Sequence, residues 1–579
     1  MAKKIKKIPY GIADFEKIQS KGFYYVDKTR FIPLIESAGE YLFFIRPRRF
    51  GKSLWLSVIE SYYDLAKKDR FPETFKGTWI GENPTEDQGV YLILRFNFSA
   101  VNPDPEKVEA SFEIYCQGVF EEFLSKYNDA FTPEILSKLT SLPTITDRLN
   151  RLFAYGFSHD LRLCILIDEY DNFTNTILSV HGQKTYHDLT HGAGFLRHFF
   201  NVLKAGTTGS GSSLARLFIT GVSPVTMDDV TSGFNIGRNI SLEPKFNEML
   251  GFTAEEVKAL LGHYKKEDLF SLDPDESLAL MSKWYNNYCF AEDTQRAVYN
   301  PDMVLYFIDK VIGTGKLPKE LIDQNVRMDY GKLRHLILVD KRFNGNFSRL
   351  KEIMEKGRIT SSVTSSFPLE AIIQPENFIS LLLYFGLLSF APASGTRTVL
   401  QIPNLTVQKL MYGYMREAYA DVDIFRVNLW RLANMLGDMA YDGVWEPVFD
   451  FLAGEVKNQT SVRDYLAGEK VVQGFLLAYL NLTDYFLPRT EMEMSKGFAD
   501  IFLEPFWARF PDMGYGYVIE LKYIKRGELT RDILEKKIAE AKEQLNQYAQ
   551  DDHVVKAMGK GKLKKIVLIY HGWEMVYRG

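Results

Sequence analysis

The sequence predicts a multidomain α/β protein, and three observations lead to this prediction. Over the first ~245 residues, apolar runs of strand length alternate with stretches of helical period. A helical period dominates residues ~246–400. Near the C-terminus, two short apolar strands are followed by a charged helix and a last strand. The length of 579 residues also requires several domains, because a single domain holds about 100–200 residues.

These patterns divide the chain into four predicted parts. An α/β domain covers residues 1–245, and a mainly helical lid or middle domain covers residues 246–400. A connector with a short strand covers residues 401–429, and a second α/β domain covers residues 430–579. In the middle domain, Thr253 has the position of an N-cap, and Glu256 completes a capping box.

The composition excludes several classes of protein. The three cysteines, Cys116, Cys164 and Cys289, have no paired spacing, which argues against a disulfide framework and a cysteine-based zinc site. The formal net charge is −4, so any contact with nucleic acid has to come from local basic patches. No apolar run reaches the roughly 18 residues of a membrane-spanning helix. The N-terminus also lacks the apolar region of a signal peptide. We expect a cytoplasmic protein without a membrane span.

The strand candidates of the first domain are short, apolar and separated by helical stretches. They are Tyr41–Ile45, Tyr91–Phe96, Arg162–Ile167 and Leu217–Thr220. This alternation predicts a parallel sheet with flanking helices.

A loop typical of phosphate binding follows the first of these strands. Residues 46–53 read Arg-Pro-Arg-Arg-Phe-Gly-Lys-Ser and lead into a helical stretch, Leu54–Leu65. Arg46 stands where the phosphate-loop pattern begins with glycine, but the rest of the pattern is intact. Gly51 lets the backbone approach phosphates, Lys52 supplies positive charge, and Ser53 can bind Mg²⁺.

Two further strands end in residues that suit nucleotide hydrolysis. Asp168 follows a buried strand and suits the Mg²⁺ shell, and Glu169 suits orienting or deprotonating a water. Thr220 ends a strand in the manner of a sensor strand. Arg48 and Arg49 either supply charge to the transition state or form contacts between domains. The sequence does not decide between these two roles. We expect a P-loop NTPase domain that binds ATP and Mg²⁺, with these residues around the nucleotide.

The last domain contains a candidate hairpin with three reactive side chains. Ala499–Pro505 and Tyr515–Lys525 are strand-like. Side chains alternate along a strand, so Glu520 and Lys522 share one face, where Asp500 can join them. Paired acids hold Mg²⁺, and an ammonium group beside them stabilises charge on a scissile phosphate. We expect both acids to be ionised at neutral pH, with a divalent cation relieving their repulsion.

This hairpin resembles the signature of PD-(D/E)xK nucleases, with Ala499 at the position of the proline. The chain as a whole resembles the bacterial AAA-ATPase-like family, whose members carry such a nuclease domain at the C-terminus. Six ordered segments carry this resemblance: Tyr25–Thr29, Arg46–Ser53, Ile219–Pro224, Gly251–Thr253, Trp284–Tyr288 and Tyr299–Pro301. In that family, arginine is the usual residue at the position of Arg46, whereas Asn287 replaces a usual glycine. The resemblance spans nearly the whole chain. It implies a restriction-endonuclease-like α/β/α domain that acts on DNA.

The resemblance also implies further residues for the nuclease site. Glu469 lies where related nucleases place an additional helix carboxylate, which would complete the metal shell. Glu493 matches the acid upstream of the G-x-x-D segment. Gln544 and Tyr548 match the helix that follows the E-x-K strand, where glutamine can face the site.

The expected function is that of an ATP-binding protein whose P-loop domain gates or drives a metal-dependent nuclease domain that cleaves DNA phosphodiesters. ATP and Mg²⁺ are the expected cofactors, and the sequence leaves a homo-oligomer open. One alternative is a nucleotide-dependent switch or scaffold that binds nucleic acid or a protein partner without cleaving. Another is an ATPase scaffold with no nucleic acid partner. The lysine-rich run Lys560–Lys565 is either a solvated chain segment or a contact for phosphates.

Overall fold

A computed structural model describes residues 5–190, 194–207, 213–225, 236–294, 296–329, 338–339, 342–343, 345–368, 371–372, 374–392, 397–421, 425–459, 468–494 and 497–579. For residues 178–184, 327–329, 338–339, 342–343, 421, 490–494 and 497–498, the description covers the backbone alone. The chain divides into two compact units. Unit 1 comprises Met1–Lys332 and Arg358–Thr406, and unit 2 comprises Leu333–Gly357 and Val407–Gly579. The three boundaries between the four predicted parts stay a prediction.

The strands of the described residues are numbered in chain order. They are β1 (Tyr41–Ile45), β2 (Leu92–Asn97), β3 (Leu163–Asp168), β4 (Leu214–Gly221), β5 (Arg238–Asn239), β6 (Leu338–Val339), β7 (Arg342–Phe343), β8 (Arg358–Thr360), β9 (Ser389–Phe390), β10 (Val399–Gln401), β11 (Phe486–Met494), β12 (Gly497–Pro505), β13 (Tyr515–Ile524), β14 (Lys562–His571) and β15 (Glu574–Arg578).

The α-helices are numbered in the same way. They are α1 (Phe15–Ser20), α2 (Ile32–Ala38), α3 (Lys52–Tyr63), α4 (Phe71–Thr74), α5 (Trp79–Glu82), α6 (Val108–Lys126), α7 (Pro133–Ser141), α8 (Ile145–Ser158), α9 (Asn172–Thr190), α10 (Phe195–Ala205), α11 (Ala254–Lys266), α12 (Pro274–Tyr285), α13 (Pro301–Thr314), α14 (Gln324–Asp329), α15 (Gly345–Lys356), α16 (Pro375–Tyr384), α17 (Leu405–Asp421), α18 (Leu429–Tyr441), α19 (Glu446–Asn458), α20 (Glu469–Leu480), α21 (Arg531–Tyr548) and α22 (Asp552–Met558). Among the described residues, no helix is long and apolar enough to cross a membrane.

The main sheet of unit 1 is parallel and has the strand order β2-β3-β4-β1-β5. The predicted strands at Tyr41, Tyr91, Arg162 and Leu217 are confirmed as β1 to β4, with bounds that differ by three residues or fewer. The sheet is buried on both faces because helices flank it, which explains why β3 is apolar along its whole length.

Alternate side chains of each strand enter different layers of the unit 1 core. Phe43, Leu94 and Ile165 pack in one cluster with apolar residues of α6, α8 and α10. Phe44 and Leu166 are equally buried and alternate with that set, so they point to the other face. Helix α3 contacts β3 and is itself largely buried. The predicted parallel sheet with flanking helices is confirmed.

The region after the main sheet is mainly helical, as predicted, and its first helix begins as the sequence indicates. Thr253 accepts a hydrogen bond from the Glu256 amide at 3.3 Å, and the Glu256 carboxylate accepts one from the Thr253 amide at 2.8 Å. The capping box is therefore confirmed. The same Glu256 carboxylate binds the buried Lys28 ammonium at 2.6 Å, which ties helix α11 to the segment before β1.

The region predicted as a connector contains a helix. Strand β10 confirms the predicted short strand, but residues 405–421 then form α17. Its buried positions include Val407, Met411, Met415 and Ala418, which recur at helical spacing. Pro403 and Asn404 are typical turn residues, and the helix begins directly after them.

Unit 2 contains a mixed sheet with the order β11-β12-β13-β14-β15. Strands β12 and β13 are antiparallel, which confirms the predicted hairpin, while β13 and β14 are parallel. Helices α21 and α22 pack on one face, where Val518 and Val567 meet Ala541 and Leu545. Helices α18 and α20 contact β13, and Gln473 of α20 donates to the main chain of β12. The C-terminal domain therefore has the predicted mixed sheet with helices.

Candidate functional site

The carboxyl ends of the parallel strands bring the predicted nucleotide residues to one edge of the unit 1 sheet. Strand β4 lies between β1 and β3, with Ile45 opposite Gly221 and Ile167 opposite Ile219. The phosphate-loop residues, Asp168 and Thr220 all follow or end these strands. They therefore lie next to one another at the edge where α/β sheets bind ligands.

The loop between β1 and α3 has the geometry of a phosphate cradle. Gly51 has a φ of 90°, a left-handed conformation that favours glycine. Lys52 is the first residue of α3, and its buried Nζ donates to the carbonyls of Arg46 and Pro47, both at 3.0 Å. Burial lowers the pKa of Lys52, while the carboxylates of Asp168 and Glu169 oppose this change. The amides of the helix N-terminus and this ammonium group are suitable for binding an anion.

Arg46 replaces the first glycine of the loop without entering the phosphate cradle. Its guanidinium lies between the rings of Phe44 and Phe290, at 4.2 and 4.4 Å from their centroids. It donates to the carbonyls of Ser241 at 2.6 Å and Phe246 at 3.1 Å. The side chain is directed into the protein core, so the substitution leaves the loop free for a ligand.

Asp168 and Thr220 meet at the ends of their strands. The Thr220 hydroxyl donates to Asp168 Oδ1 at 2.8 Å. Asp168 is fully buried, and its Oδ2 has no hydrogen-bond partner among the described residues. Such an oxygen is suitable for a cation or for a water of its hydration shell. Burial, and next the charge of Asp168, raise the pKa of neighbouring Glu169, which suits a residue that exchanges protons with water.

The phosphate loop and Glu169 line a cavity of about 480 Å³, whereas Asp168 and Thr220 do not belong to its lining. Its polar part contains Arg48, Arg49, Gly51, Lys52, Ser53 and Glu169, all of which the sequence analysis placed around the nucleotide. Its other part is apolar and contains Pro9, Ile12, Ile18, Tyr24 and Val26 among its residues. A charged part beside an apolar part is the combination that suits a nucleotide, whose phosphates are charged and whose base is largely apolar. The apolar part was not predicted, because its residues follow no local pattern.

The hairpin of unit 2 brings the three predicted nuclease residues together. Ile501 is opposite Ile519 in the antiparallel pair of β12 and β13. Continuing this register by one residue places Asp500 opposite Glu520, so their side chains share a face. Lys522 Nζ lies 2.6 Å from Glu520 Oε1, and the Leu521 amide donates to Asp500 Oδ2 at 2.8 Å.

The electrostatics of this cluster differ from the expectation that both acids are ionised. Burial is the largest effect and raises the pKa of Asp500 to about 6 and that of Glu520 to about 7. The charge of Glu469 raises both pKa values further, and Lys522 lowers them. Asp500 therefore stays mainly ionised at neutral pH, as expected, whereas Glu520 is only partly ionised in the metal-free protein, because burial removes its hydration.

Of the remaining predicted residues, Glu469 and Tyr548 interact electrostatically with the two acids. Glu469 begins helix α20, and its charge acts on both acids. Gln544 Oε1 is buried and has no hydrogen-bond partner among the described residues. Burial, and next the charges of Glu520 and Asp500, raise the pKa of Tyr548 to about 12, so Tyr548 offers a neutral hydroxyl near the acids. Glu493 lies in β11 opposite Phe498, and its side chain lies outside the described residues.

One residue of the site was missed by the sequence analysis. Gln473 is almost fully buried in α20, and its side-chain amide donates to the main-chain carbonyl of Asp500. It lies four residues after Glu469, so both are on the same side of the helix. The sequence signal that could have identified Gln473 is the presence of a glutamine within the apolar stretch of α20.

The donor set of each site suits Mg²⁺ more than a transition metal. Among the described residues there is no cluster of three or more His, Cys, Asp or Glu that could hold a metal ion. Mg²⁺ in proteins is typically bound by one or two carboxylates together with waters and substrate phosphates. Asp168 with Ser53 in unit 1, and Asp500 with Glu520 in unit 2, fit that pattern. The buried oxygen Glu520 Oε2, which has no hydrogen-bond partner among the described residues, supports the fit.

Comparison with known proteins gives similarities of limited extent. The chain is 28% identical over 318 residues to a protein of Azotobacter chroococcum mcd 1 that is named "Uncharacterized protein in vnfD 5'region". The match covers 52% of each chain, so this chain spans about half the length of the curated relative that it matches.

Solved structures with some similarity include two archaeal proteins. The ORC2 protein of Aeropyrum pernix in ADPNP and ADP complexes has 12% identity and a TM-score of 0.32, with 68% of this chain and 91% of that chain covered. Cdc6p of Pyrobaculum aerophilum has 11% identity and a TM-score of 0.24, with coverages of 65% and 87%. At these TM-scores, the likeness indicates neither a ligand nor an activity for this chain.

The family models match the two parts of the chain that carry the candidate sites. Residues 9–231 match the AAA-ATPase-like family, described as "Predicted AAA-ATPase". Residues 467–578 match the PD-(D/E)XK nuclease superfamily. The chain therefore combines an AAA-ATPase-like domain with a C-terminal domain of the PD-(D/E)XK nuclease superfamily.

Proposed function

We propose that this protein binds ATP in unit 1 and uses it to gate a metal-dependent nuclease site in unit 2 that cleaves DNA phosphodiesters. The single observation that carries the proposal is the buried cluster of Asp500, Glu520 and Lys522 on one face of a hairpin, in a domain that matches a nuclease superfamily. The proposal includes a cytoplasmic location and the four-part division of the chain at residues 245, 400 and 429.

In the nucleotide site, the loop amides, Lys52 and Ser53 hold the phosphates. Lys52 can exchange its two loop carbonyls for phosphate oxygens, which is favourable because its ammonium is buried beside few acceptors. Glu169 orients the attacking water, and its raised pKa makes it a better proton acceptor than an ordinary glutamate. Thr220 fixes the Asp168 carboxylate. Arg48 and Arg49 line the cavity and supply charge for the phosphates.

In the nuclease site, Asp500 and Glu520 would hold Mg²⁺, and the charge of Glu469 acts on both acids without forming a three-carboxylate cluster with them. When bound, Mg²⁺ supplies positive charge and Lewis acidity at the scissile phosphate. Lys522 holds Glu520 at 2.6 Å in the metal-free protein and is placed to stabilise negative charge on the phosphate. Gln473 fixes the main chain at Asp500, and Gln544, which has a buried unpartnered oxygen, is a further candidate for this site.

The chain path supports the gating part of the proposal. Helix α15 comes from the middle of the sequence but belongs to unit 2, where it packs against α20, the helix that begins with Glu469. Its half-buried Glu355 interacts with Lys351 and Lys470. The next strand, β8, belongs to unit 1. A change in unit 1 therefore has a direct covalent path to the helix that carries a residue of the nuclease site.

Lys52→Ala should weaken ATP binding by about 10- to 100-fold, because hydrogen bonds to charged groups contribute about 1.5–3 kcal/mol. Glu169→Gln should retain the affinity and lose hydrolysis, because it keeps the shape of the cavity but not the proton acceptor. Calorimetry with ATP and Mg²⁺ measures the affinity, and phosphate release measures hydrolysis. Lys76→Ala, which removes an exposed lysine of unit 1, is the control. Equal affinity of Lys52→Ala and the wild type would contradict the nucleotide site.

Asp500→Asn should weaken Mn²⁺ binding and abolish plasmid cleavage, because it removes a ligand charge. Above about pH 8, where both acids are ionised, Lys522→Ala should retain Mn²⁺ binding and lose cleavage by about 100- to 1,000-fold, the usual effect of removing one group that stabilises transition-state charge. Lys525→Ala removes an exposed lysine three residues further along and should cleave normally.

Cleavage by Lys522→Ala at the wild-type rate would show that Lys522 is an ordinary strand residue. A wild-type protein that binds DNA in an ATP-dependent manner but never cleaves it would support the switch or scaffold.

Mn²⁺ affinity of unit 2 should rise with pH, because both acids must lose their protons to bind the cation. With pKa values of about 6 and 7, affinity should be weakest below pH 6 and level off near pH 8. Each bound proton costs about tenfold in affinity per pH unit below its pKa. Lys522→Ala should move the plateau to higher pH, because Lys522 lowers the pKa of both acids. A pH-independent affinity between about pH 5.5 and 8.5 would contradict the buried pair.

A further inference from the structure

A lysine-rich surface lies at the other end of the strands that carry the nuclease residues. We define the basic end of unit 2 as Lys556 on α22, Lys560, and Lys562, Lys564 and Lys565 on β14. We propose that the basic end binds the phosphate backbone of the nucleic acid whose cleavage is proposed above, an inference that rests on that proposed function.

The position of the basic end follows from the register of β13 and β14. Lys562 is opposite Tyr515 at the start of both strands, whereas Glu520 is opposite Val567. Five residues separate Tyr515 from Glu520, which corresponds to roughly 17 Å at about 3.3 Å per residue. Lys562 is therefore too far from the acids to touch the scissile phosphate.

Lys565 is opposite Val518, on the same face as Glu520 and only about 7 Å from it along the strands. Lys562 and Lys564, in contrast, lie on the other face of the sheet. A duplex that contacts the end of the sheet can therefore reach both Lys565 and the acids.

The lysines of the basic end have no carboxylate partners among the described residues. Lys565 Nζ donates to Asn546 Oδ1, and Lys564 Nζ donates to the Gly443 carbonyl, both at 2.8 Å. The ammonium groups of Lys562 and Lys564 lie 6.0 and 5.3 Å from the centre of the Tyr515 ring. No ion pair of the described residues involves any of the five lysines.

The acids nearest to this surface in the sequence are too few to neutralise it. Asp552 is exposed at the start of α22, and Asp512 is exposed shortly before β13. Asp512 acts on the exposed Tyr441. Asp551 precedes Asp552, and Asp442 precedes the Gly443 that accepts from Lys564. Five lysines therefore face four acids, which leaves a small excess of positive charge in a chain whose net charge is −4. A concentration of positive charge on an otherwise acidic protein attracts a polyanion to that place.

Aromatic rings accompany the lysines. Tyr515 is half-buried between Lys562 and Lys564, and Trp507 donates to the Ala557 carbonyl at 2.8 Å with its ring against Gly561. Tyr441 is 41% exposed. It lies close to Tyr515, because Gly443 lies against the Tyr515 ring and Gly514 lies against the main chain of Tyr441. Aromatic faces next to lysines are typical of surfaces that follow a nucleic acid strand, since bases stack on rings while phosphates bind the ammonium groups.

The same geometry sets a length for the substrate. A distance of roughly 17 Å corresponds to about five base pairs of duplex at 3.4 Å per base pair. DNA that extends less than this on the side of the basic end should be cleaved more slowly than longer DNA, because it loses these phosphate contacts.

The test compares two triple variants of the full chain in an Asp500→Asn background, so that bound DNA stays intact. Lys560→Gln/Lys562→Gln/Lys565→Gln removes three charges from the basic end and keeps Lys564, which donates to Gly443. Lys76→Gln/Lys266→Gln/Lys319→Gln removes three exposed lysines from unit 1 and is the matched control. Fluorescence anisotropy with a duplex of about 30 base pairs measures the dissociation constant from about 50 to 200 mM salt. Thermal unfolding checks that all variants are folded.

The basic-end variant should bind the duplex on the order of tenfold more weakly at the lowest salt, and its log–log salt slope should be shallower by about one for each lysine removed. The control should match its parent. Equal affinity and slope for the two triple variants would overturn the inference, as would a parent that does not bind the duplex. Loss of binding to phosphatidylserine vesicles with unchanged DNA binding would overturn it in favour of a membrane surface.

Cleavage by the chains with Asp500 intact separates this inference from the function on which it rests. A wild-type chain that cleaves plasmid while the basic-end variant binds DNA normally would leave the nuclease standing and remove the surface. A chain that binds DNA through these lysines but never cleaves it with Mg²⁺ or Mn²⁺ would leave the surface standing and remove the nuclease.

Discussion

The structure depends on buried carboxylate oxygens that lack a hydrogen-bond donor within the described residues. Asp168 Oδ2 in unit 1 and Glu520 Oε2 in unit 2 are both in this state. An unsatisfied buried polar group costs roughly 1–3 kcal/mol. A cation or a water of its hydration shell can satisfy such oxygens. A lysine suited to binding phosphate lies near each of the two, Lys52 near Asp168 and Lys522 near Glu520. This shared condition is the physical reason for assigning both sites to metal-dependent phosphate chemistry.

Each site also contains a lysine with an internal partner. Lys52 binds two carbonyls of its own loop, and Lys522 binds the Glu520 carboxylate. Both contacts keep a buried ammonium group satisfied before a ligand arrives, which limits the cost of burying its charge. The partners of Lys52 are neutral carbonyls, and the partner of Lys522 is an acid that can be protonated. A phosphate can therefore replace either set of partners. The same side chain thus stabilises the free protein and remains available for the ligand.

The sequence was sufficient for features with local or repetitive patterns. The strands β1 to β4, the capping box of Thr253 and the hairpin with Glu520 and Lys522 all follow from periodicity and short motifs. Features set by tertiary contacts were not accessible. The inward direction of Arg46 depends on Phe290, far along the chain, and the raised pKa of Glu520 depends on burial that alternation cannot report. Helix α17 lies in the predicted connector, and its apolar period at Val407, Met411, Met415 and Ala418 is the local signal that indicates it.

The central claim is that nucleotide in unit 1 controls cleavage in unit 2. The most direct measurement is the initial rate of Mg²⁺-dependent plasmid cleavage without nucleotide, with ATP and with ADP, for the wild type and Lys52→Ala. Coupling free energies between sites are about 1–3 kcal/mol, so ATP should change the wild-type rate by about 5- to 150-fold. Lys52→Ala should remain at the nucleotide-free rate under all three conditions. A wild-type rate that is the same with and without ATP, or an ATP response that persists in Lys52→Ala, would contradict the account.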